Sequence, residues 1–138
     1  MQPPRRRTPT EPPAVIVIDD DGDARRIYSE YLRMKGLTVF TAPDGRYGLN
    51  KTTELVPDVI VLDLAMPRVD GWTVLKHVRQ SSVTSRIPVV VVSALTEARD
   101  QAFEAGCDAY LTKPCPPEVL YLQIRALTRL QAEIRASY

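Results

Sequence analysis

Asp19, Asp20, Asp63, Ser93 and Lys113 lie far apart in the chain, yet each ends or directly follows a short apolar run. AVIVI (14–18) leads into Asp19 and Asp20, DVIVLD (58–63) ends in Asp63, IPVVVVS (87–93) ends in Ser93, and AYLT (109–112) leads to Lys113. Three carboxylates gathered at one place repel one another by on the order of several kcal/mol when partly buried, so the set needs compensating positive charge. A hard divalent cation such as Mg²⁺ supplies it naturally, because it prefers oxygen ligands and is commonly held by one or two carboxylates plus a phosphoryl oxygen. Lys113 adds a second, fixed cation. An aspartate nucleophile, a metal and an ammonium suit phosphoryl transfer, where the protein chiefly positions groups and neutralises charge. Ser93 then offers a hydroxyl to a phosphoryl oxygen.

Taken singly, each residue has a plainer reading. Asp19 or Asp20 would cap a helix, Asp63 would be an ordinary strand-end carboxylate, and a lysine before proline would sit in a solvated turn. The plain readings weaken together, because every member falls at the carboxyl end of an apolar run.

The positioning elements follow from periodicity. The four runs, and a weaker fifth at LTVFTA (37–42), are rich in β-branched residues and continuous rather than alternating, as strands buried on both faces of a parallel sheet are. Between them apolar residues recur at helical spacing: Ala24, Ile27, Tyr28, Tyr31 and Leu32 in the first segment, Val74, Leu75 and Val78 in the third. Gly36 follows the first helix, Asp70-Gly71 opens the third, Thr96 is placed to cap the fourth, Gly106 ends it, and Pro116 and Pro117 suit a first turn. Strand and helix alternate five times. This predicts an α/β fold, a doubly wound (βα)5 sheet whose ligand site lies beyond the carboxyl ends of its strands.

Composition sets the outer bounds. The chain has 138 residues, 44% of them hydrophobic, which suits one compact domain. Lys and Arg total 18 against 17 acidic residues, which argues for neither nucleic-acid wrapping nor an acidic tail. The longest apolar runs are far too short for a membrane span or a secretory signal. Two cysteines, Cys107 and Cys115, do not make a disulfide framework and fit a reducing cytoplasmic location. Residues 1–13, MQPPRRRTPTEPP, read as a disordered Pro/Arg-rich tail. The Arg5-Arg6-Arg7 cluster within it reads as solubilising, and His77 as a polar helix position beside Lys76 and Arg79.

These residues bring a family into view. VIVIDDD with Asp19-Asp20, VIVLDLAMPRVDG around Asp63, VVVVSA ending in Ser93-Ala94, and YLTKP with Lys113-Pro114 occur in an order and spacing that closely resemble the receiver domain of two-component response regulators, over about Ala14 to Leu130. The resemblance implies a flavodoxin-like domain (14–134, with 135–138 as a C-terminal tail) and a five-stranded parallel sheet of order 2-1-3-4-5 with helices on both faces. It implies Asp63 as phosphoacceptor, and Asp19, Asp20, Asp63 and the Ala65 backbone carbonyl as ligands of Mg²⁺, or of Mn²⁺. Ser93 and Lys113 match the phosphoryl-binding pair. Tyr110 matches the aromatic residue that swings inward when the hydroxyl residue moves, with Ala94 leaving it room, and Pro114 matches the proline of a cis bond. Two departures stand out: Cys115 where the family commonly has Phe, read here as a small buried hydrophobe, and the extra acid Asp21.

The implied reaction takes a phosphoryl group from a sensor histidine kinase or phosphotransfer protein, and switches a surface of the fourth helix, fifth strand and fifth helix toward a downstream target protein or a homodimer partner. Ala65 and Leu95 occupy the two positions that flank the hydrolytic water in the family. Neither has a hydrogen-bonding side chain, so slow dephosphorylation is expected. No DNA-binding segment follows the fifth helix, so output by protein contact is expected, without direct nucleic-acid binding or membrane association. A metal-dependent phosphohydrolase would want a second acid at Ala65, and a receiver-like module that has lost phosphorylation would lack the Asp or Lys present here.

Overall fold

The computed structural model describes residues 7–8 and 10–137. Most of the expected N-terminal tail, including Arg5 and Arg6, lies outside the described residues. Five strands and five helices alternate: β1 (Ala14–Ile18), α1 (Gly22–Met34), β2 (Thr38–Ala42), α2 (Gly45–Leu55), β3 (Val59–Leu62), α3 (Gly71–Gln80), β4 (Val89–Ser93), α4 (Arg99–Glu104), β5 (Ala109–Thr112) and α5 (Pro117–Ala136). All pairings are parallel and the sheet order is β2-β1-β3-β4-β5. The doubly wound fold read from the sequence is the fold observed.

The continuous apolar runs find their reason in the two faces of the sheet. Ile16, Ile18, Ile60, Leu62, Val89 and Val91 point to one side and pack with Val74, Leu75 and Val78 of α3 and Ala102 of α4. Their neighbours Val15, Val17, Val59, Val61, Val90 and Val92 point to the other, against Tyr28 and Leu32 of α1 and Leu120 and Ile124 of α5. Each side chain so buried contributes roughly 2 kcal/mol of transfer free energy, which favours a sheet sandwiched between helices.

Asp21, Asp44 and Asp70 cap α1, α2 and α3 through their side chains. The third acid of the DDD run is thus a helix cap. Thr96 does not cap the fourth helix: α4 starts only at Arg99, with Ala98 at the N-cap and no side-chain cap. The backbone before it is committed elsewhere, since Ser93 Oγ accepts from Leu95 N–H at 3.3 Å and the Leu95 carbonyl accepts from the Tyr110 hydroxyl. At the other end α5 continues to Ala136, beyond the boundary expected at 134, and Ser137 N–H closes its last turn on the Glu133 carbonyl at 3.2 Å. Arg7, assigned by composition to the tail, donates to Asp58 Oδ2 and to the Val56 carbonyl, both at 2.8 Å.

Candidate functional site

The sheet's own hydrogen bonding carries the chemical residues to one edge. Past the last paired residues of β1 and β3, Asp63 N–H donates to the Ile18 carbonyl at 3.0 Å and Asp19 N–H to the Ala42 carbonyl at 3.1 Å. Past β4, Lys113 N–H donates to the Ser93 carbonyl at 2.9 Å. Asp19, Asp63, Ser93 and Lys113 therefore sit on the continuation of the ladder, where their backbones are fixed and their side chains are free to converge.

They do converge. Carboxylate oxygens of Asp19, Asp20 and Asp63 lie within 4.8 Å of one another. Asp19 and Asp63 are buried, at 3% and 7% exposure, while Asp20 faces solvent. The Lys113 ammonium bridges the two buried acids, 2.8 Å from Asp19 Oδ2 and 3.2 Å from Asp63 Oδ2. Backbone donors take the remaining oxygens: Asp21 N–H on Asp19 Oδ1 at 2.9 Å, and Ala65 N–H on Asp63 Oδ1 at 3.0 Å.

Burial raises the Asp19 carboxyl above its ordinary value, and the Lys113 hydrogen bond and the Asp21 amide only partly oppose it. Burial works to lower the Lys113 ammonium as well, but there the hydrogen bond and charge of Asp19, with Asp63 behind, win and leave it raised. The site is held together by one cation facing three acids and carries excess negative charge. An all-oxygen donor set of this kind, partly dry and under-neutralised, fits a hard divalent cation such as Mg²⁺.

Ser93 is fully buried at the end of β4, and its hydroxyl is engaged by its own loop at Leu95 rather than by the acids. Tyr110, in the middle of β5, is half-buried and reaches the same loop through its hydroxyl, while Ala94 is exposed beside it. Burial raises the Tyr110 phenol. The Lys113–Pro114 bond is cis. Cys115 is half-buried against the Tyr28 face of the core, and its carbonyl accepts from the Tyr28 hydroxyl at 3.0 Å. His77 is exposed on α3.

Three residues at the site do work that the sequence reading did not assign to them. Arg25 reaches back from α1 to donate from Nη1 to the Asp19 carbonyl at 2.8 Å. Gly71 is sterically required, since a Cβ there would stand 2.2 Å from the Asp63 carbonyl oxygen and 2.5 Å from Leu64 Cα. Arg68, in the loop after Asp63, adopts a left-handed φ of 64° without being glycine.

Comparison with known proteins agrees with this geometry. Residues 15–125 match the family described as the response regulator receiver domain. The chain is 41% identical over 119 residues to the DNA-binding dual master transcriptional regulator RpaA of Synechocystis, covering 85% of this chain and 49% of that protein. It is 39% identical over 127 residues to the transcriptional regulatory protein PrrA of Mycobacterium tuberculosis, covering 91% and 54%. The chain thus spans about half the length of these curated relatives. Among solved structures, the receiver domain of the Francisella response regulator 1452 superposes with a TM-score of 0.81 at 32% identity over 86% of this chain and 98% of that one. Chemotaxis protein CheY4 of Vibrio cholerae gives 0.79 at 30% identity, covering 84% and 98%. A sheet of this order, an acid cluster at its carboxyl edge and a family match over most of the fold lead to one conclusion: the chain belongs to the receiver domain family of two-component response regulators.

Proposed function

We propose that Asp63 accepts a phosphoryl group from the phosphohistidine of a sensor histidine kinase or phosphotransfer protein, and that the modification resets the surface of α4, β5 and α5 for a downstream protein. The observation that carries this reading is the Lys113 ammonium lodged between Asp19 and Asp63 inside a three-carboxylate cluster. A carboxylate in that setting is both a nucleophile and a site prepared to have its charge offset.

In the reaction an Asp63 carboxylate oxygen attacks phosphorus, the bond from phosphorus to the donor nitrogen breaks, and the imidazole leaves. Asp19, Asp20, Asp63 and the Ala65 carbonyl would hold Mg²⁺, which would supply a divalent charge to offset the phosphoryl oxygens. Lys113 donates to one of those oxygens. The Ser93 hydroxyl gives up its bond from Leu95 N–H to donate to another, the loop through Ala94 and Leu95 is released, and Tyr110 follows it inward. No helix among the described residues is long and apolar enough to cross a membrane, and we place the reaction in the cytoplasm.

Acetyl phosphate offers the phosphoryl group without a partner protein. Intact mass after incubation with acetyl phosphate and Mg²⁺ should show one added phosphoryl group in the wild type, and none with a chelator or in Asp63→Asn. Equal labelling of Asp63→Asn would overturn the assignment.

A further inference from the structure

The acidic turn after β1 has to present two consecutive carboxylates to one point, and one of them is weakly held. Asp19 is fixed through its amide, its carboxylate and its burial. Asp20 is exposed and, among the described residues, has no side-chain hydrogen bond or ion pair of its own. Its placement is therefore set by how the backbone on either side is held.

The Arg25 side chain holds the Asp19 side, and its main chain makes the first-turn bond of α1 on the Asp21 side. Its guanidinium donates to the Asp19 carbonyl at 2.8 Å, and its backbone N–H donates to the Asp21 carbonyl at 3.0 Å. The side chain folds back over the turn so closely that a Cβ on Gly22 would be 3.5 Å from Arg25 Nη2. Asp19, Asp20, Asp21 and Asp23 all precede it, yet Arg25 forms an ion pair with none of them among the described residues. The guanidinium bonds a main-chain carbonyl and occupies no carboxylate oxygen of the turn.

We infer that Arg25 is a positioning residue for the divalent-cation site: by clamping the turn from Asp19 to Asp21 it holds the Asp20 carboxylate beside those of Asp19 and Asp63. The inference rests on the phosphoacceptor reading above. Its sign separates it from a plain charge effect. Loss of a nearby positive charge alone would tighten binding of a divalent cation, whereas loss of a clamp weakens it.

The test is the Mg²⁺ dissociation constant of the full chain, measured by titration calorimetry for wild type, Arg25→Met, Arg25→Ala and Arg25→Lys, with the urea midpoint of each in chelator as a check on folding. The expected result is about tenfold weaker binding for Arg25→Met and Arg25→Ala, with much of the loss recovered in Arg25→Lys and little change in the ion-free midpoints. Binding by Arg25→Met or Arg25→Ala as tight as wild type, or tighter, overturns the clamp and leaves the phosphoacceptor reading standing. Failure of the wild type itself to bind Mg²⁺ overturns both.

Discussion

Lys113 makes its bonds to two buried carboxylates that repel each other, and the pair stays buried because one ammonium reaches both, at 2.8 and 3.2 Å. On the proposed function the same residue would follow the charge onto a phosphoryl group at Asp63, so that stability and chemistry would draw on a single side chain. Ala65 shows what a missing group does. It is exposed, and its amide holds Asp63 Oδ1 at 3.0 Å, but its methyl offers no hydrogen bond to the water that, on the proposed function, would attack an acyl phosphate at Asp63. Ala65→Asn should therefore release phosphate faster, by about tenfold if the amide orients that water; phosphate release after removal of excess acetyl phosphate measures it, and an unchanged rate counts against the role given to this position. The convergence of Asp19, Asp63 and Lys113 was legible because each falls next to a strand whose apolar run is unmistakable. Arg25 and Arg68 were not, since a hydrogen bond to a carbonyl and a left-handed backbone leave no trace in residue type or spacing.

At the scale of elements, the site depends on how closely α3 starts against the end of β3. Gly71 N–H donates to the Leu64 carbonyl at 3.1 Å, and the space over the Asp63 carbonyl admits no Cβ at all. Gly71→Ala should push the first turn of α3 away from Asp63, at a stability cost of about 2 kcal/mol, read as a lower urea midpoint together with slower labelling by acetyl phosphate. A midpoint within error of wild type would show that the junction is softer than its packing implies. Strand positions were legible from the sequence to within one or two residues, because two-sided burial writes the same β-branched pattern into β1, β3 and β4. The start of α4 was not, because Leu95 is drawn into bonds with Ser93 and Tyr110, which lies 15 residues on in the chain. Arg79 was equally hidden: its guanidinium ties α3 to the Gly106 and Ile87 carbonyls and to Asp108, at 2.7 to 2.9 Å, and so braces the entries to β4 and β5.

At the scale of the whole molecule, two apolar layers on either side of one sheet do the holding and leave the carboxyl edge free to be polar. The acid cluster would be a liability in a protein that kept it ion-free, and burial already holds the Asp19 carboxyl above its ordinary value. The proposed function gives that cost a reason: the cluster would gather positive charge around Asp63 and then yield to a phosphoryl group. The two relatives that share this half of their length are named as transcriptional regulators. The most direct measurement is a crystal structure of the protein with Mg²⁺ and beryllium trifluoride, a phosphoryl mimic. The expected result is the beryllium group bonded to an Asp63 oxygen, the ion among Asp19, Asp20, Asp63 and the Ala65 carbonyl, and Lys113 and Ser93 turned onto fluorine atoms. A bare Asp63 carboxylate, with Lys113 still shared between the two buried aspartates under those conditions, would contradict it.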